Sequence, residues 1–203
     1  MEKIIDGVEY VISTSNMGVS TASVQDLIVS ERSRTKELTI PASVEGVPVV
    51  AILQDAFQDA YWLEKVNLPH TMCSIGPGAF DNCIKLKEVY IACHNMQVKI
   101  QRNAFSRCHS LERIKMDYDS VLILNGPGIF KDCDVLNSLP PIMGSIPSHT
   151  FLRCGIKYVI LLGDVYLDAE VFRNCGIDTI ACEKLEGIDG DLEIFKNIQI
   201  ISS

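Results

Sequence analysis

Seven phenylalanines divide most of the chain into near-equal lengths. They stand at Phe57, Phe80, Phe105, Phe130, Phe151, Phe172 and Phe195, with steps of 23, 25, 25, 21, 21 and 23 residues. The residues around them nearly repeat: DAFQDA, GAFDNC, NAFSRC, GIFKDC, HTFLRC, EVFRNC and EIFKN. A period in the twenties means one short supersecondary unit stacked on copies of itself, because a single unit cannot bury its own apolar face. Residues 38–203 therefore read as a solenoid of about seven coils. Residues 1–37 stand outside the repeat. There Asp6-Gly7 between Ile4-Ile5 and Val8, Tyr10 and Ile12 predicts a hairpin, and Val24–Val29 a further strand. This segment reads as the N-terminal cap that an end coil needs.

Within a coil the pattern LxxVxI recurs at fixed offsets from the phenylalanine: Leu63, Val66, Leu68; Leu86, Val89, Ile91; Leu111, Ile114, Met116. Its last positions alternate as in a strand with one buried face. An aliphatic residue also stands five before the phenylalanine at Ile52, Ile75, Ile100, Ile146 and Leu167. Cys154 and Cys175 are each followed by Gly-Ile, which shortens the interval to the next strand and predicts trimmer late coils. Pro140 and Pro141 cannot donate to a ladder, so the sheet should break there.

Eight cysteines suggest a disulfide or metal framework until they are set on the repeat. Cys83, Cys108, Cys133, Cys154 and Cys175 all lie three residues after a phenylalanine, a slot that Ala60 and Ile198 fill elsewhere. A position that accepts alanine or isoleucine is a core position, and the thiols read as buried and free. No CxxC pair offers a zinc site. The GPG runs at Gly76–Gly78 and Gly126–Gly128 open no phosphate loop and read as turns. Asp189, Asp191 and Glu193 lack EF-hand spacing. The four histidines form no metal motif, and no serine sits in a nucleophile elbow. Cys108 beside His109 is a dyad on paper, but adjacent residues of an extended chain point to opposite sides. No enzyme activity, metal or cofactor is expected.

A formal charge of −8 argues against a nucleic-acid surface. No apolar run reaches the ~20 residues of a membrane span. The start MEKIIDGVEYVIS has no signal-peptide core, and unpaired thiols suit a reducing compartment, so a cytoplasmic location is favoured; a cell-surface or secreted location follows if a leader has been removed.

The stretch LTIPASVEGVPVVAI and coils such as SIGPGAFDNCIKLKEVYI resemble the BspA-type leucine-rich repeat, with Phe80, Cys83, Leu86, Val89 and Ile91 at its marked positions. The resemblance covers residues 38–201, and more weakly the opening IDGVEYVI. It implies a strand-dominated α/β solenoid: a right-handed leucine-rich-repeat horseshoe with a parallel β-sheet on the concave face. It implies no catalytic residues, and a role as an adhesion or protein-interaction surface.

On that register an inner column of Thr39, Asn67, Tyr90, Lys115, Pro140, Ile160 and Ala181 faces outward on the concave sheet. A flanking column runs Glu37, Lys65, Glu88, Arg113, Ser138, Tyr158, Thr179, and its first four members alternate in charge. The C-terminal half of both columns is uncharged, so Ser138, Pro140, Tyr158, Ile160, Thr179 and Ala181, with Tyr90, form the expected binding patch for a protein partner. Leu162 extends it. An adhesin or carbohydrate-binding surface is the alternative; Tyr90 and Tyr158 are its only aromatics on that face. End-to-end homodimerisation through the uncapped C-terminal coil, with Ile198, Ile200 and Ile201, is a second expectation.

Overall fold

The computed structural model describes residues 1–27, 36–117, 119–168, 170–188 and 199–202. Phe195, Ile198 and the DGDLE carboxylates lie outside them, as do the side chains of Ile200 and Ile201, on which the homodimer expectation rests.

The chain opens with β1 (Glu2–Ile5), β2 (Val8–Thr14) and β3 (Ser20–Leu27). β1 and β2 are antiparallel and joined by Asp6 and Gly7, both at positive φ (50° and 77°). Two left-handed residues give a turn whose twist matches that of the strands. β2 and β3 are also antiparallel.

Each coil then supplies two strands. The LxxVxI run forms β4 (Glu37–Thr39), β7 (Lys65–Leu68), β9 (Glu88–Ile91) and β11 (Arg113–Met116), a four-stranded parallel sheet. The aliphatic residue before the phenylalanine belongs to a second run: β6 (Val47–Ile52), β8 (Ser74–Ile75), β10 (Gln97–Gln101), β12 (Val121–Asn125) and β13 (Ile142–Met143). These stack in parallel and continue from β3, while β5 (Ser43–Val44) pairs antiparallel with β6. In the last coils the two runs fuse into β14 (Tyr158–Leu167) and β15 (Thr179–Ile188), and β16 (Gln199–Ser202) pairs with β15.

Coil length explains the fusion. Between Phe105 and Phe130 the step is 25 residues, and residues 117–120 connect β11 to β12. After Phe130 the step falls to 21 and that connection is absent. In β14 the corner is reduced to a register shift between Leu161 and Asp164, with Gly163 at φ 73°.

The phenylalanine segments form the third side. Phe57, Phe80, Phe105, Phe130, Phe151 and Phe172 are buried and stacked, with ring centroids 5.2 to 5.8 Å apart and planes within 14° of parallel. That separation is the offset stacking aromatic pairs prefer. The backbone is stacked too: Phe80 N–H donates to Ala104 O at 2.8 Å and Phe105 N–H to Ile129 O at 3.0 Å.

The expected α/β horseshoe is corrected here. Among the described residues there is no helix, and the fold is an all-β solenoid of mixed strand orientation. The reason lies on both flanks of the phenylalanine. Two residues after it Asp59, Asn82, Arg107, Asp132, Arg153 and Asn174 have φ between 52° and 62°. Two residues before it Asp55, Gly78, Asn103, Gly128 and His149 do likewise, at 54° to 68°. A left-handed residue every few positions breaks a right-handed helix, and Asp, Asn and Gly tolerate that conformation best. The return segment is thus a pair of turns. The GPG runs belong to it, through Gly78 and Gly128.

Candidate functional site

The outer face of the four-stranded sheet carries two charge ladders. The register Glu37↔Lys65↔Glu88↔Arg113 matches the alternation in the sequence. Lys65 reaches Glu37 at 3.1 Å, Arg113 is hydrogen-bonded to Glu88, and Lys115 also meets Glu88 at 3.2 Å. The Arg113 hydrogen bond holds the Glu88 carboxyl below its ordinary value, against the effect of its partial burial. A second ladder, one residue earlier in each coil, has Glu64 between Lys36 at 3.2 Å and Lys87 at 3.0 Å. Here charge is matched with charge along both ladders.

The sheet stops after β11. Only an isolated bridge from Arg113 to Ser138 continues it, and Pro140 and Pro141 follow without N–H groups. A groove of about 740 Å³ opens at this step between a long coil and a short one. Its walls come from the end of β11 with Asp117, Asp119 and Ser120 on one side, and from residues 138–141 with Met143 and Leu162 on the other. Tyr90 closes one end, its hydroxyl donating to Asp117 Oδ1 at 2.8 Å. That bond raises the phenol above its ordinary value.

Of the residues expected to form the binding patch, Tyr90, Ser138 and Pro140 line the groove. Tyr158 and Ile160 lie on β14 and pair in register with Thr179 and Ala181 on β15, outside it. Leu162 connects the two groups, because it lines the groove and shares the outward face of β14 with Tyr158 and Ile160. Tyr158 is 45% exposed and is the one exposed large hydrophobic among the seven. Met116, Asp117, Asp119, Leu139 and Met143 also border the groove, and column counting missed them. The signal that could have found them is the drop in coil length after Phe130.

Among the described residues no catalytic constellation assembles. Cys83, Cys93, Cys108, Cys133, Cys154 and Cys182 are buried, and all eight thiols are free. Burial pushes Cys93, Cys108, Cys133 and Cys154 up, and Cys175 to about 11, which disfavours the thiolate needed for attack. His109 faces Asp134 at 2.7 Å on the surface while Cys108 is inside, so the dyad is not formed. Among the described residues no group of three or more His, Cys, Asp or Glu converges as a metal site would require. No helix among them is long and apolar enough to cross a membrane.

A stack of strand–strand–turn coils whose defining positions are core and turn positions is a repeat solenoid of the leucine-rich class. The BspA type leucine rich repeat region matches residues 50–183 in six copies, and the chain belongs to that family. A generic protein-interaction role is consistent with that repeat fold. Two solved structures show the same fold. A leucine rich repeat protein from T. pallidum is 20% identical with a TM-score of 0.69, over 93% of this chain and 86% of that one. A leucine-rich repeat protein from Bacteroides ovatus ATCC 8483 is 19% identical with a TM-score of 0.55, over 99% of this chain and 67% of that one. No curated protein matches the sequence.

Proposed function

We propose that this chain is a non-catalytic protein-interaction module that takes its partner at the groove beside the four-stranded sheet and along the uncharged face of β14 and β15. The observation that carries this reading is the groove itself. It is a concave site with apolar Met, Leu and Pro side chains, interrupting a surface where charges are otherwise paired. Tyr158, Ile160 and Leu162 extend it along one strand face. Carbohydrate sites are built on open aromatic platforms. Among the described residues Tyr90 is the one aromatic that lines the groove and its hydroxyl is engaged by Asp117, so the described lining favours a polypeptide.

Site-specific photo-crosslinking tests the reading. A photoreactive residue at exposed Ser138 should trap a discrete protein in extracts of the native source, and one at Gln58, on the turn side, should not. Equal adducts at both positions, or none at Ser138, would sink the proposal.

A further inference from the structure

We infer that the groove receives an extended, basic peptide segment, paired as a short strand at the Met116 end of β11, with an apolar side chain in the groove and a cationic one at Asp119. This rests on the interaction role proposed above and adds the chemistry of the occupant.

The edge comes first. β9 and β11 pair along four residues, Arg113↔Glu88 to Met116↔Ile91. On its other side β11 meets only Ser138, whose carbonyl accepts from Ile114 N–H at 3.2 Å. In a parallel ladder alternate residues direct their N–H groups to the same neighbour, so Met116 points its N–H the same way as Ile114. The following residues there are Leu139, Pro140 and Pro141, and the chain turns away to place Pro141 O on Leu122 N–H at 2.9 Å. Among the described residues no backbone group pairs with Met116 on that side. A strand edge left open beside a groove is the arrangement that accepts a peptide by strand addition.

The floor is apolar and half-buried, with Met116, Leu139, Met143 and Leu162 within reach of one inserted side chain. The rim sets the sign of charge. Asp117 is taken by Tyr90 and stands 3.8 Å from His94, whereas exposed Asp119 has no cation facing it among the described residues. Lys115, the cation of the groove, is held by Glu88 at 3.2 Å. Against a chain of net charge −8, the carboxylate left over selects Lys or Arg in the partner.

Fluorescence anisotropy with short synthetic peptides tests this. One peptide alternates leucine with arginine, its match carries glutamate for arginine, and a third has alternate backbone amides N-methylated. The arginine peptide should bind saturably and weaken as salt rises. The glutamate and N-methylated versions should bind about tenfold more weakly or worse. Asp119→Lys should remove the preference for arginine, and Ser138→Trp should abolish binding of all three, with melting temperatures unchanged in both exposed-site variants. Equal binding of the arginine and glutamate peptides, an unchanged preference in Asp119→Lys, or full binding of the N-methylated peptide would each overturn the inference. So would a concentration-dependent dimer lost in Ser138→Trp, or saturable oligosaccharide binding at the groove. If Ser138 still crosslinks a protein while the peptides fail, the interaction role survives and the basic-strand chemistry falls; if Ser138 crosslinks nothing, both fall.

Discussion

Cys108 donates its thiol to the carbonyl oxygen of Phe80 in the preceding coil at 3.1 Å, and that oxygen also accepts the N–H of Cys83. Cys83 to Phe57 and Cys133 to Phe105 repeat the contact at the same distance. The cysteine column is therefore a set of small buried donors that hold one turn segment to the next. Cys108→Ala removes the donor and leaves a void in a fully buried slot, which should cost about 1–3 kcal/mol. Cys73→Ala, at an exposed thiol, should stay within about 0.5 kcal/mol. Urea unfolding of the two variants measures the contrast.

The phenylalanine stack should show its order in the same assay. Phe105 lies between Phe80 and Phe130, with centroids 5.3 and 5.8 Å away. Phe57 stacks on Phe80 alone among the described rings. In a quasi-one-dimensional array a residue between two neighbours supports two interfaces. Phe105→Ala should cost about 3–5 kcal/mol, and Phe57→Ala less. Equal costs would mean that the rings contribute by burial alone and not through stacking between coils.

Thiol alkylation followed by mass spectrometry reads the burial pattern directly. In the native protein Cys73 should react first, and half-buried Cys175, its thiol pushed up to about 11 by burial, slowly. Cys83, Cys108, Cys133 and Cys154 should react only after unfolding. Prompt modification of Cys108 or Cys133 in folded protein would contradict the ladder.

The repeat was legible because each coil solves the same packing problem, so Phe80, Cys83, Leu86 and Val89 recur in order and the strand register follows by counting. The turn side was misread as belonging to an α/β fold. Its deciding residues, Asp59, Asn82 and Asp132, are polar and outside the apolar pattern, yet their left-handed backbone is what excludes a helix. The candidate groove was partly legible. Tyr90, Ser138 and Pro140 fall on the groove because they sit in a column, and Pro140 marked the break. Met116, Asp119 and Met143 escaped because a groove made by coils of unequal length is a property of two neighbours, and a column counts one position at a time.

Acid should weaken the fold through two of its surface pairs. Glu88 is held below its ordinary 4.5, first by the Arg113 hydrogen bond, and Asp132 below its ordinary 3.8, first by that of Arg153. A carboxyl lowered in the folded state contributes stability above its unfolded value and loses it as pH falls through the folded one. Asp81 runs the other way. Burial raises it, so its contribution is present below 3.8 and is lost as pH rises through the raised value. The unfolding free energy from urea melts should therefore fall on acidification below about pH 5, by a few tenths of a kcal/mol per pair given their exposure. Glu88→Gln should flatten that decline, and Asp81→Asn should steepen it.

Two glycines in equivalent places should respond differently to the same substitution. Gly155 and Gly176 each follow a ladder cysteine in the short coils, and neither has positive φ. Backbone freedom is therefore not what glycine supplies here. A Cβ at Gly155 would stand 2.2 Å from the carbonyl oxygen of Asp134, a backbone atom of the preceding coil that cannot swing aside. The Gly155 N–H is meanwhile fixed to Cys133 O at 3.0 Å, so the two coils cannot separate locally without losing that bond. A Cβ at Gly176 would meet Lys157 Nζ at 2.7 Å, the far end of a flexible and largely exposed side chain. Gly155→Ala should cost about 2–4 kcal/mol through a forced shift between coils. Gly176→Ala should be neutral or stabilising by up to about 1 kcal/mol, because alanine restricts the unfolded chain. Comparable losses in both would show that coil spacing near Cys175 is as tight as near Cys154, and that the close approach at Asp134 is not what sets the cost.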